Sequence, residues 1–149
     1  MACFKGTYRY SVDEKGRVSI PVKLRKNLSE AANNTFTVTR GLDGCLFLYP
    51  HDEWLHHEKE VKERFDPYNS EDRKFVRAFT RMAEEVLLDK QQRVIIPAEL
   101  LKLAGITADV VIVGAFDKIE LWSPERFEKY MGEVEPEYED VAAKVMGRR

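Results

Sequence analysis

The sequence predicts an α+β fold, mainly β, made of two tandem ββαββ units with helices between them and at the C-terminus. Three observations carry this expectation. One stretch of the chain occurs twice, hydrophobic residues alternate with period two inside each copy, and Pro and Gly stand where strands would hand over to helices. Sliding the sequence against itself by 76 residues sets Asp13 to Pro21 (DEKGRVSIP) on Asp89 to Pro97 (DKQQRVIIP). From 13 to 28, seven of sixteen positions are identical: Asp13/Asp89, Arg17/Arg93, Val18/Val94, Ile20/Ile96, Pro21/Pro97, Leu24/Leu100 and Lys26/Lys102. Chance would supply about one, so the chain reads as an internal duplication. A weaker echo, offset by 74, sets Asp43 to Pro50 on Asp117 to Pro124. The expected division is a first repeat over 7–54, a helical linker over 55–82, a second repeat over 83–127 and a helical, acidic tail over 128–149.

Each element follows from a local pattern. Tyr8, Tyr10 and Val12 alternate with Thr7, Arg9 and Ser11, and Val18 and Ile20 alternate with Arg17 and Ser19, the pattern of two half-buried strands. Asp13-Glu14-Lys15-Gly16 between them is turn chemistry, which predicts a β-hairpin: Asp bonds the backbone and Gly accepts positive φ. Gln92 replaces that glycine in the second copy, predicting a more strained turn or a different geometry. Pro21 and Pro97 cannot serve a sheet ladder but suit the first position of a helix, and Leu24 and Leu28, or Leu100, Leu101 and Ala104, follow at helical spacing. Gly105 is placed to end the second of these helices in a left-handed cap. A further hairpin follows in each copy: 36–39 with 45–49 around Gly41-Leu42-Asp43-Gly44, and 110–113 with 119–122. Pro50 and Pro124 then open helices, the latter with Ser123 as N-cap. Residues 51 to 83 are helical in pattern but broken at Asp66-Pro67-Tyr68-Asn69-Ser70, and beyond the break Phe75, Phe79 and Met82 share one face while Arg73, Arg77 and Arg81 form a stripe on another.

Composition bounds the function. The 149 residues are 44% hydrophobic and 34% charged, the balance of a globular protein, and one unit of this size buries ~70% of its unfolded surface. No apolar run approaches the ~20 residues of a membrane span, and the N-terminal segment lacks the apolar core of a secretory signal, so a cytoplasmic protein is expected. Two cysteines, Cys3 and Cys45, are too few for a disulfide framework. The formal net charge of −2 conceals a polarity. Residues 1 to 28 carry seven bases against two acids, whereas residues 125 to 140 carry seven acids against two bases. The basic segment is a candidate nucleic-acid face or a solvated surface.

Two roles are open to the repeated D-x-x-x-R. Asp13 and Asp89 can cap their turns and pair with Arg17 and Arg93 as a structural staple. Alternatively, the turns present guanidinium groups, which bond bidentately to phosphate or to guanine O6 and N7. The two are compatible. Alternation sets Arg9, Arg17 and Ser19 opposite Tyr8, Tyr10, Val18 and Ile20, gathering basic groups on one hairpin face.

Phe4-Lys5-Gly6, the D-x-K-G-R-V-x-I-P of Asp13 to Pro21, the second D-x-x-x-R-V-x-I-P of Asp89 to Pro97 and the helical insert between them resemble the MraZ family over nearly the whole chain. The resemblance implies SpoVT/AbrB-like units in a swapped-hairpin β-barrel, and a bacterial transcriptional regulator that assembles into a homo-oligomeric ring. It further implies binding to double-stranded DNA with tandem direct repeats, in the promoter of the division and cell-wall gene cluster, and association with the nucleoid. Carried over onto this chain, it makes Arg17 the first DNA-contact candidate, with Lys15 beside it and Arg93 as the matching position. Arg9, Lys5 and Lys90 are the assisting bases. Copy two has Gln91-Gln92 in place of Lys-Gly, so copy one is expected to carry most of the affinity. A ring would repeat these groups, and engagement of consecutive sites raises avidity by ~100- to 10,000-fold. The alternative on the same fold is an RNA-binding or antitoxin-like interaction module.

Other constellations point elsewhere weakly. His56, His57 and Glu60 lack a third metal ligand, Cys45 sits in an apolar run as a core residue, and the Arg73/Arg77/Arg81 stripe suits solvent or a neighbouring subunit's acids. No phosphate-cradling or nucleophile motif occurs, so neither an enzyme nor a cofactor, metal or small-molecule substrate is expected.

Overall fold

The strands form where the alternation puts them, but the first two strands of each repeat find their ladder partners in the other repeat. In a computed structural model that describes residues 3–148, the chain runs β1 (Thr7–Ser11), β2 (Arg17–Ser19), a single turn α1 (Val22–Arg25), β3 (Thr35–Arg40) and β4 (Leu46–Pro50). The helices α2 (His51–Arg64) and α3 (Ser70–Thr80) follow. The second half is β5 (Glu84–Leu87), β6 (Arg93–Ile95), α4 (Ala98–Ala104), β7 (Asp109–Ala115) and β8 (Lys118–Trp122), then α5 (Pro124–Val134) and α6 (Tyr138–Met146). Met1, Ala2 and Arg149, the ends of the N-terminal segment and of the acidic tail, lie outside the described residues.

Six strands make one antiparallel sheet in the order β1-β7-β8-β4-β3-β5, and β2 pairs with β6 in a separate two-stranded ladder. The order reads the same when the two repeats are exchanged, as a pseudo-twofold axis requires. That axis passes through the β2–β6 ladder, where Val18 faces its own equivalent Val94. Copy one lends β1 to β7 of copy two, with Tyr8 opposite Ile112, and copy two lends β5 to β3 of copy one, with Glu84 opposite Val38. The expected ladder of β1 with β2 therefore does not form. The turn between them is closed locally, by Asp13 N–H on the Arg17 carbonyl (3.3 Å) and Gly16 N–H on the Asp13 carbonyl (3.0 Å), after which the strands diverge into different sheets. For the same reason Arg9 and Arg17 do not share a hairpin face. The six-stranded sheet does not close, and β1 and β5 are its edges.

Period two sorts the side chains of the sheet into two layers. Phe36, Val38, Leu46, Leu48, Val110, Ile112, Ile119 and Leu121 face one core, which α1, α4 and the β2–β6 ladder fill with Leu24, Leu100, Val18, Ile20, Val94 and Ile96. Phe4, fully buried, plugs the same core from the edge, held by reciprocal backbone bonds with Phe116 (2.7 and 2.9 Å). On the other face, Cys45, Phe47, Tyr49, Val111 and Trp122 meet the helices: His57 stacks on Tyr49, Trp54 tilts against it, and Phe79 stacks on Trp54, while Phe127 and Tyr130 of α5 pack on Trp122. Burial on both faces explains why β4 reads as a continuous apolar run and why the alternate positions of β3, Thr35, Thr37 and Thr39, are buried as well.

The helix boundaries follow the punctuation with one shift. Pro21, Pro50 and Pro97 sit at the N-cap rather than the first helical position, with φ between −54° and −57°. Pro124 does occupy the first turn, capped by Ser123, whose hydroxyl accepts from Arg126 N–H (3.3 Å). Asn69 caps α3 through Asp72 N–H (3.0 Å), and Gly105 ends α4 at φ 69°. Met82 leaves the Phe75/Phe79 face and packs on the first core, because α3 has ended before it.

Candidate nucleic-acid interface

The two repeated turns flank one short ladder. Ile20 N–H donates to the Gln92 carbonyl (3.0 Å) and Ile96 N–H donates to the Gly16 carbonyl (2.9 Å), so each turn is tied to the outgoing strand of the other copy. Gly16 has φ 78°, and a Cβ there would stand 2.8 Å from the Ile96 carbonyl oxygen. Gln92 adopts the same left-handed region at φ 63°. Of the two outcomes expected for this turn, the geometry is retained, and a side chain in that region costs roughly 1–2 kcal/mol.

Within each turn the aspartate organises the arginine. Asp13 Oδ1 accepts from Lys15 N–H (3.0 Å) and Arg17 N–H (2.8 Å), while Oδ2 accepts from Arg17 Nε. Asp89 repeats the pattern with Gln91 N–H (2.8 Å), Arg93 N–H (2.9 Å) and Arg93 Nε (3.0 Å). These donors favour the ionised form: the Arg17 backbone N–H, then the Arg17 side chain and Lys15 N–H, hold the Asp13 carboxyl below its usual range, and the Arg93 and Gln91 N–H groups do the same for Asp89. Each arginine thus has one edge committed to its own turn and remains about a quarter exposed, 29% for Arg17 and 25% for Arg93.

The free edges differ. Among the described residues no acceptor meets the terminal nitrogens of Arg17. Arg93 donates from Nη2 to Gln91 Oε1, and its Nη1 lies 4.0 Å from Asp13 Oδ2. Lys15 and Lys90 are exposed on their turns. Arg9 sits on the edge strand β1, paired with Asp109 at 3.1 Å, and exposed Lys5 lies beyond the far end of that strand, beside Gly114. The structure therefore brings Arg17, Lys15, Arg93 and Lys90 together around the β2–β6 ladder and leaves Arg9 and Lys5 along the sheet edge. Sequence reasoning missed the Gln91–Arg93 bond. Its only signal was an amide two residues before the arginine, where copy one has a lysine.

The remaining candidates have structural surroundings. Cys45 is buried, donates to the Leu42 carbonyl (3.1 Å), and has its thiol pKa pushed up to about 12, chiefly by burial. His57 stacks on Tyr49 with ring centres 5.0 Å apart, and His56 is exposed. Arg73 donates to the Pro67 carbonyl (3.0 Å), while Arg77 and Arg81 are exposed. Among the described residues no helix is long and apolar enough to cross a membrane.

Fold and site together define a class: tandem-duplicated, mainly antiparallel β proteins whose two halves exchange strands and present an aspartate-clamped arginine turn apiece. The family described as "MraZ protein, putative antitoxin-like" matches residues 3–78 and again 79–149, and the chain belongs to this MraZ family. It is 44% identical to the transcriptional regulator MraZ of Heliobacterium modesticaldum over 96% of both chains. It is 41% identical to that of Syntrophomonas wolfei, over 93% of this chain and 94% of the relative, and 41% identical to that of Clostridium tetani, over 95% and 96%.

Proposed function

We propose that this chain is a sequence-specific double-stranded DNA-binding transcriptional regulator. In this reading the turns around the β2–β6 ladder meet DNA, with Arg17 and Lys15 as the principal contacts and Arg93, Lys90, Arg9 and Lys5 assisting. The observation that carries it is the half-committed guanidinium of Arg17: Asp13 fixes Nε while the terminal nitrogens stay open, so a stiff loop can offer a bidentate fork without first ordering a flexible side chain. Relatives named as transcriptional regulators support the same class. The cross-repeat pairing of β1 and β5 fits a swapped-hairpin barrel of the SpoVT/AbrB type, with the short ladder lying across the open edges, and fits repeats bounded at 7–54 and 83–127. A homo-oligomeric ring on short direct repeats, in the promoter of division and cell-wall genes and at the nucleoid, would multiply a modest grip per subunit. No catalysis, cofactor or small-molecule substrate enters this reading.

The test is titration of the full chain on duplexes with one, two or three tandem repeats at several salt concentrations. Release of counterions by Z phosphate contacts gives log K a slope of about −0.9Z against log salt, and affinity should rise steeply with repeat number. A salt-independent affinity, or none, overturns the reading. The family's description as antitoxin-like favours one second reading, an antitoxin-like module, to which RNA binding on the same fold is the companion alternative. Preference for folded RNA over duplex in direct competition would establish it instead.

A further inference from the structure

We propose that the C-terminal helix of one copy of this chain docks along α3 of a second copy, in the apolar groove between α3 and the β3–β4 turn. This rests on the homo-oligomer reading above and names the surfaces that would make it.

The helix lacks a partner of its own. Among the described residues no side chain of α6 is buried, and Tyr138, Val141, Val145 and Met146 are 63%, 45%, 47% and 83% exposed. These residues fall at i, i+3, i+7 and i+8, one apolar stripe. The stripe lies on the last nine residues of a helical run that begins at Pro124, carried away from the sheet with its apolar side in water.

A complementary surface exists on the same molecule, and no residue of α6 lines it. A groove of about 340 Å³ is lined by Arg40, Leu42, Phe47, Tyr49, Phe75 and Phe79. Leu42 and Phe75 are 69% and 52% exposed at its rim, an apolar pair that water should not be left to cover.

Charge fixes which helix end goes where. The approach to α6 carries Glu135, Glu137, Glu139 and Asp140, and its far end carries Lys144 and Arg148. Helix α3 has the same polarity, with Glu71 and Asp72 in its first turn and Arg77 and Arg81 at its end, and Arg73 and Lys74 between them leave it basic on balance. Laid antiparallel, each acidic end meets a basic one, and Val141 falls near Ala78. The donor and acceptor surfaces are different patches, so the contact is heterologous and propagates head to tail, closing into a ring or running on as a filament.

The experiment measures the mass and dissociation of the full chain by light scattering and sedimentation. It uses the wild type, a Val141→Asp/Val145→Asp variant and a Phe75→Asp variant. Both α6 positions are exposed, so the first variant keeps its fold. In a Cys3→Ser background, chains carrying Ala78→Cys are also mixed with chains carrying Val141→Cys and oxidised. Cys45 does not compete, being buried. Expected are an oligomeric wild type, at least a tenfold weaker assembly in both aspartate variants, and a disulfide-linked pair that requires both cysteine chains. A monomeric wild type overturns the oligomer reading and this proposal together. An oligomer insensitive to the aspartates, or one giving no mixed disulfide, overturns the docking alone.

Discussion

Arg17 and Arg93 hold equivalent positions with equivalent aspartate clamps, and the difference between them lies in what meets the far side of each guanidinium. Gln91 and the Asp13 carboxylate occupy that side of Arg93, whereas Arg17 has no acceptor there among the described residues. On the proposed reading, a phosphate or guanine reaching Arg93 must displace an existing partner and one reaching Arg17 need not. Arg17→Ala should therefore abolish tandem-repeat binding in a fluorescence anisotropy titration while leaving the oligomer mass unchanged, and Arg93→Ala should weaken binding less. A larger loss for Arg93→Ala would reverse the ranking. The same turns make a stability prediction. Gly16→Gln forces a Cβ to 2.8 Å from the Ile96 carbonyl in a left-handed backbone and should destabilise by more than ~1 kcal/mol, whereas Gln92→Gly relieves a left-handed side chain and should stabilise by up to ~1 kcal/mol in urea unfolding. At this scale the sequence was readable wherever one residue type has one local job, as with Asp13, Gly16, Gly105 and Ser123. It was not readable at Gln92, where the ladder bond from Ile20 N–H holds the turn in a conformation its own residue disfavours.

Between elements, the least legible feature was which strand pairs with which. Alternation states which side chains share a face and is silent on the neighbour, and the adjacency of β1 and β2 in sequence suggested a hairpin that their divergence into two sheets replaces. The exchange depends on a close approach at one place. Gly114 lets the chain at Lys5 lie against β7, and a Cβ there would stand 2.3 Å from the Lys5 backbone nitrogen. Gly114→Ala should lift residues 4–6, unseat the fully buried Phe4 and cost roughly 1–3 kcal/mol, with loss of amide protection at Phe4 and Phe116 by hydrogen exchange. On the opposite face the helical insert carries a pH dependence. Burial among Tyr49, Trp54 and Phe79 lowers the His57 pKa, more than Glu60 and Asp117 raise it. The neutral ring is the one the folded state prefers. Its contribution is complete above the unfolded value near 6.5 and declines as pH falls from there through the folded pKa. Urea unfolding of the wild type between pH 7 and pH 5 should show this decline, and His57→Phe should flatten it. An unchanged slope in the variant would place the acid sensitivity elsewhere.

For the whole molecule, the duplication was legible in the residues themselves, whereas exchange of strands between the copies entered only through the family resemblance. Two similar repeats suggest two domains that fold side by side. The palindromic strand order makes them one cooperative unit instead, because β1–β7, β2–β6, β3–β5 and β4–β8 all cross between copies. A half-chain therefore exposes β3 and β4 without the partners that flank them, along with the inner faces of Phe36, Val38, Leu46 and Leu48. Residues 1–82 expressed alone should not exist as a folded monomer. Because the register is symmetric about Val18 opposite Val94, a second copy of the same half can supply the missing strands with Val18 facing Val18. The half-chain should then be unfolded when dilute and gain strand structure only as it dimerises, with a midpoint in circular dichroism that moves with concentration. Adding residues 83–149 in trans should shift that midpoint, since it restores the pairs for which both sequences were matched. A monomeric half-chain with a concentration-independent, cooperative unfolding transition would mean that each repeat carries its own core and that the cross-repeat ladders are secondary to it.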